Sequence, residues 1–145
     1  MPERAHGSTQ VYGTAKEIME VISDFEAYPE WAGQLKEVRV LERDRRGRGT
    51  VVSFEVETPV FPAAYTLRYD YGPGDAGMSW SYVEGTLDDL AGSYTLEPLD
   101  DQSTRVTYEL LVGLNLPLPG LVKRQAARQI VKSALSDLKR RVESG

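Results

Sequence analysis

The chain has 145 residues, 17 Lys+Arg against 22 Asp+Glu for a formal charge of −5, no cysteine and a single histidine. That length suits one domain, 1–145, burying roughly 70% of its unfolded surface without disulfides; the absence of cysteine excludes thiolate metal sites and CxxC redox chemistry, and the position of the one histidine, His6, near the N-terminus argues against zinc sites and Ser-His pairs, so no metal and no cofactor are expected. The acidic balance gives no invitation to nucleic acid, no run approaches the roughly 20 apolar residues of a membrane span, and residues 1–10 lack the apolar core of a secretory signal, so a cytoplasmic protein is expected.

The first ordered piece is an extended segment over about Ser8 to Tyr12, and the stretch before it, with His6, reads as loose. Thr14 can cap a helix, with Glu17 three positions on to complete a capping box. That helix runs to about Asp24, and Ile18, Met19, Val21, Ile22 and Phe25 recur at helical spacing, so one face is buried. In DFEAYPEWAG, Pro29 and Gly33 prevent a long continuation while Tyr28 and Trp31 bring two large rings to a turn.

From Leu35 to Tyr108 the apolar period is two, which predicts a meander of strands. Lys36 to Arg43 leads through DRRGRG to Thr50 to Glu57, where Val52, Phe54 and Val56 alternate with Ser53, Glu55 and Glu57. Pro59 and Pro62 interrupt pairing; Tyr65, Leu67, Tyr69 and Tyr71 then share one face, with Thr66, Arg68 and Asp70 on the other. GPGDAG turns the chain into Met78, Trp80 and Tyr82, and GTLDDLAG turns it again. Two further strands follow, carrying Tyr94 and Leu96, then Val106, Tyr108, Leu110 and Val112. One-sided apolar faces leave the other side of the sheet wet.

NLPLPG ends the strands, and Pro119 suits the first turn of a long helix reaching about Glu143. Leu118, Val122, Ala126, Ile130, Ala134 and Leu138 form its expected buried stripe, flanked by Leu121, Val131 and Leu135. Arg124, Arg128 and Lys132 form a separate basic stripe. Residues 118–145 hold seven basic and two acidic residues, a net +5 against −10 for the remainder. At roughly 25 residues such a helix spans about 37 Å, enough to cross a sheet, yet its diameter of about 10 Å is too narrow to cover six or seven strands. Bulky side chains or a ligand cavity must fill the rest.

VISDFEAYPEW, VEGTLDDLAGSYTLEPL and LNLPLPGLVKRQAARQIVKSALSDLKRRVE resemble the polyketide cyclase/dehydrase and lipid-transport branch of the START-like (helix-grip, SRPBCC) superfamily over about Ser8 to Glu143. The resemblance implies an α+β helix-grip fold: a curved six- or seven-stranded antiparallel sheet around the C-terminal helix, with one or two short helices after the first strand. It also implies a cavity between helix and sheet, opening near the helix N-terminus. Its lining would be Phe54, Val56, Tyr65, Leu67, Tyr69, Trp80, Tyr82, Tyr94, Tyr108 and Leu110 from strands, with Val122, Gln125, Ala126, Gln129 and Ile130 from the helix. The implied function is binding or transport of a small hydrophobic ligand such as a lipid, quinone or polyketide-like molecule. A cyclase or dehydratase using cavity tyrosines, and a protein, membrane or ribosome interaction module using the basic helix, are the alternatives. No linear catalytic motif carries over.

The tyrosine hydroxyls either orient a ligand's carbonyls or reach water and backbone from a strand core. Gln125 and Gln129, one turn apart, either face a ligand or lie in solvent. Glu55, Arg68 and Glu109 fall opposite the apolar face by strand parity and are expected in surface ion pairs; Asp88 and Asp89 are expected in a turn. Gly47 and Gly49, and Gly72, Gly74 and Gly77, join strand to strand rather than strand to helix, which removes a phosphate-binding role. The basic stripe is either a solvated face or a docking surface for anionic lipid or an acidic partner.

Overall fold

A computed structural model describes residues 2–57 and 62–144; Pro59, expected to interrupt pairing, lies outside them. In chain order the elements are β1 (Glu3–Val11), α1 (Ala15–Ser23), a 3₁₀ segment (Phe25–Glu30), β2 (Leu35–Arg43), β3 (Gly49–Val56), β4 (Ala63–Tyr71), β5 (Gly77–Gly85), β6 (Asp89–Pro98), β7 (Thr104–Gly113) and α2 (Gly120–Ser144). The strands form one antiparallel sheet in the order β1-β7-β6-β5-β4-β3-β2, with α2 laid across β1 and β7 and α1 with the 3₁₀ segment closing one end. This is the helix-grip arrangement, with seven strands.

Thr14 caps α1 as its sequence dictates: its Oγ1 accepts from the Glu17 N–H at 3.1 Å and its own N–H donates to Glu17 Oε1 at 3.1 Å. Ile18, Met19 and Ile22 bury the helix's inner face. Phe25 then turns its ring onto β3, where Gly49 gives it room: a Cβ there would stand 2.8 Å from Phe25 Cδ2.

Three expectations are corrected. The N-terminus is not loose, since β1 begins at Glu3 and pairs with β7 from Glu3↔Val112 to Val11↔Thr104. Its inward positions Ala5, Gly7 and Thr9 are small or polar, so no apolar alternation announces a strand. They are small because α2 lies close: a Cβ on Gly7 would meet Val131 Cγ1 at 3.1 Å and Leu135 Cδ1 at 3.2 Å. His6 points the other way, into solvent.

Second, LDDLAG is only partly a turn. β6 starts at Asp89, and Asp89, Leu90 and Ala91 pair with β7 but not with β5, whose ladder to β6 runs only from Gly77↔Thr95 to Trp80↔Gly92. Beyond Trp80 and Gly92 the two strands part.

Third, the buried stripe of α2 is Ala127, Val131, Leu135 and Leu138, with Ala126, Ile130 and Ala134 half-buried and Leu121 and Val122 exposed. A four-residue repeat drifts about 40° per step around a helix of 3.6 residues per turn. The expected line therefore winds off the face that rests on β1.

Candidate functional site

Strand alternation and register bring a continuous layer of aromatic rings to the concave face. Tyr94 and Tyr108 are cross-strand partners with centroids 4.9 Å apart, Trp80 lies 5.4 Å from Tyr108, and Tyr69 lies 5.9 Å from Trp80. Phe54 and Tyr65, partners on β3 and β4, lie 5.5 Å apart. The 3₁₀ segment adds Phe25, 4.6 Å from Tyr69, and Tyr28, which meets Trp31 edge-on at 4.9 Å. Tyr28 and Trp31 were legible as large rings at a turn and Phe25 as part of the buried face of α1, but none of the three as a member of this layer.

The tyrosines divide by what their hydroxyls do. Tyr28 donates to the Ile22 carbonyl, Tyr71 to that of Gly49 at 2.7 Å, and Tyr82 to that of Leu87 at 2.8 Å, tying together the parted ends of β5 and β6. The hydroxyls of Tyr65, Tyr69, Tyr94 and Tyr108 have no hydrogen-bond partner among the described residues, and the one sealed side-chain polar atom left without a partner there is Trp31 Nε1.

Burial pushes all four above the ordinary phenol value. Tyr65, Tyr108 and Tyr94 add to the shift on Tyr69, as Tyr94 and Tyr65 do to that on Tyr108, so the hydroxyls lie within electrostatic reach of one another. The Asp137 carboxylate on α2 adds to the shift on Tyr94. Asp137 also accepts from the Gly33 N–H at 3.3 Å, linking α2 to the chain after the 3₁₀ segment, a link no sequence pattern signals. Tyr71, at the rim, is pushed up to about 12, first by burial, with Arg48 over its ring working against that.

Of the other expected lining residues, Phe54, Leu67, Trp80 and Leu110 are buried, and Val56, Tyr82, Ala126 and Ile130 are half-buried. Val122, Gln125 and Gln129 are exposed, and Gln129 Nε2 donates to Ser133 Oγ along the helix at 2.9 Å. Only Ala126 and Ile130 of the expected helix set pack against the core.

Two clefts lie away from the four unpartnered phenols. One, of about 450 Å³, is bordered by Asp88, Asp89, Leu114, Leu116, Pro117 and Lys123, at the helix end where the resemblance put an opening. The other, of about 620 Å³, lies between α1 and the end of α2, bordered by Glu17, Glu20, Asp24, Trp31, Arg141 and Val142. Asp88 keeps a turn role through its N–H to the Gly113 carbonyl at 2.9 Å, while Asp89 opens β6.

Glu55, Arg68 and Glu109 are exposed on the outer face as parity requires, but the expected ion pairs are not found: none of the three joins one among the described residues. On α2, Lys139 pairs with Glu143, Arg140 with Asp137 and Arg141 with Glu30. Arg124, Arg128 and Lys132 are exposed and have no ionic partner among the described residues. No described helix is long and apolar enough to cross a membrane.

A family model described as polyketide cyclase / dehydrase and lipid transport matches residues 13–139. Among solved structures, a START superfamily protein from Mycobacterium smegmatis is 25% identical, with 97% of each chain covered and a TM-score of 0.89. A protein from Thermus thermophilus is 17% identical, with 97% of each chain covered and a TM-score of 0.79. The Zhui aromatase/cyclase from a Streptomyces species is 17% identical, covering 99% of this chain and 94% of its own, with a TM-score of 0.77. No curated protein sequence matches.

Proposed function

The chain belongs to the polyketide cyclase/dehydrase and lipid transport family, and within that family we propose that it binds a small, flat, oxygen-bearing hydrophobic molecule on the concave face of its sheet. One observation carries this reading: the hydroxyls of Tyr65, Tyr69, Tyr94 and Tyr108 converge there without hydrogen-bond partners among the described residues. A phenol held protonated by burial donates to a carbonyl oxygen, and its ring offers a face for stacking. A quinone or polyketide-like molecule uses both properties; an aliphatic lipid chain uses only the rings. Burying about 300 Å² of apolar ligand surface would supply on the order of 7 kcal/mol before association costs.

Cyclase or dehydratase chemistry on a poly-ketone would draw on the same donors. Phenols raised in this way are poor general bases, so holding is favoured over proton abstraction. The test is native mass spectrometry of the purified protein, with thermal-shift measurements across quinones, hydroxylated aromatics and fatty acids. The expected result is stabilisation by the oxygenated ring compounds, reduced in Tyr69→Phe and Tyr108→Phe. Stabilisation by fatty acids alone, or by nothing in the panel, would overturn the proposal.

A second reading has an observation of its own. Arg124, Arg128 and Lys132 stand without ionic partners among the described residues while the cations of the last turns of α2 are paired. The unpaired stripe suits contact with an anionic partner.

A further inference from the structure

We propose that the start of α2 docks on an anionic lipid bilayer, with Leu121 and Val122 entering the interface and Arg124, Arg128 and Lys132 held at the phosphate level. The proposal rests on the reading of the basic stripe as a contact for an anionic partner and commits to one such partner.

The first buried side chain of α2 is Ala127, so the helix stands clear of the core for its first turn and a half. There Leu121 is 56% and Val122 39% exposed, among the few large apolar side chains so bare in the described chain, and Pro117 and Pro119 just before them are exposed as well. Leu121, Arg124, Arg128 and Lys132 are spaced by three, four and four residues and share one side of the helix. Bare aliphatic groups at the exposed start of the helix, with unneutralised cations following along the side of Leu121, match the depth profile of a bilayer surface: hydrocarbon first, phosphate next. An acidic protein would satisfy the cations but give the aliphatic groups no comparable solvent.

The 450 Å³ cleft, bordered by Leu116, Pro117 and Lys123, opens at the same end of the molecule. A docked protein would therefore present that cleft to the membrane.

Flotation with phosphatidylcholine vesicles, with and without phosphatidylglycerol, tests the proposal. Wild-type protein is expected to float with the anionic vesicles only. Charge reversal at Arg124→Glu, Arg128→Glu and Lys132→Glu together should lower partitioning on the order of a hundredfold, and the Leu121→Ser, Val122→Ser pair about tenfold. All five positions are exposed, and circular dichroism of each variant verifies its fold. Failure of the wild type to float on anionic vesicles, or undiminished flotation of the serine pair, would overturn bilayer docking. Retention of the wild type, but not the charge-reversed variant, on immobilised polyglutamate without flotation would overturn the bilayer and leave the basic-face reading standing. Neither retention nor flotation would retire both.

Discussion

Trp80 and Gly92 are the last cross-strand partners before β5 and β6 part, and the indole occupies the space a side chain at 92 would need: a Cβ there would stand 2.6 Å from Trp80 Cζ2. The ring is thereby pressed toward Tyr69 and Tyr108, at the centre of the aromatic layer. Gly92→Ala is expected to push against both the indole and the Glu109 carbonyl oxygen on β7, lowering stability by about 1–3 kcal/mol, with the displaced indole altering the near-ultraviolet circular dichroism. An unchanged near-ultraviolet spectrum would show that the glycine is not what seats the ring, and an unchanged urea midpoint that neither contact is close enough to matter.

The free and the tied phenols should respond differently to loss of the hydroxyl. Tyr71→Phe and Tyr82→Phe each remove a hydrogen bond to a main-chain carbonyl and should lower stability by about 1 kcal/mol. Tyr65→Phe, Tyr69→Phe, Tyr94→Phe and Tyr108→Phe remove hydroxyls without partners among the described residues, and should leave stability within about 0.5 kcal/mol of wild type. Equilibrium unfolding of the six variants separates the groups.

Alkali should unfold the protein. Burial raises the phenols above their unfolded value of about 10, so above that pH the unfolded chain gives up protons the folded one retains. Stability is then intact below pH about 10 and falls progressively above it, with Tyr71, held at about 12, continuing to contribute through that value. Ultraviolet titration should show the interior tyrosines ionising only together with loss of the fold. Reversible ionisation of all eight tyrosines near pH 10 in folded protein would contradict the burial.

Gly7 sets how closely α2 approaches the sheet. Gly7→Leu would drive a side chain into Val131 and Leu135, and should lower stability by about 1–3 kcal/mol. Because α2 rests on β1, amide exchange along the helix should rise more than exchange in β3 and β4. Uniform acceleration across the molecule would count against a local wedge.

The period of two named the inward residues of β3, β4, β5 and β7, and the capping box named the start of α1, because in each case side-chain chemistry fixes local geometry directly. Only the second half of β1 was legible, as the extended piece from Ser8; its first half read as loose because the inward face is Ala5, Gly7 and Thr9, and residues small enough to admit a helix give no apolar alternation. The start of β6 was hidden for a similar reason, since Gly92 reads as a turn and serves as the floor beneath Trp80. For the site, parity alone placed Tyr69, Tyr94 and Tyr108 on the concave face. It could not say which tyrosines spend their hydroxyls on a carbonyl, because Leu87 and Gly49 become partners only after the strands are paired. On the helix, Val122 is exposed and Gln125 and Gln129 take the solvent alternative, since the face α2 presents depends on β1, an element whose inward face carries little apolar signal.

The pairing of β1 with β7 governs how the chain must assemble. β2 through β7 each find a partner in the neighbouring segment, whereas Gln10 reaches Ser103 across 93 residues and the Lys139 ammonium across 129. β1 is made before β7 and α2, so it can be seated only after the strand it pairs with and the helix that covers it have both been synthesised. Contacts so distant in sequence slow folding. Until they form, the meander has β7 as an open edge, and a second chain's β1 could fill that edge as well as its own.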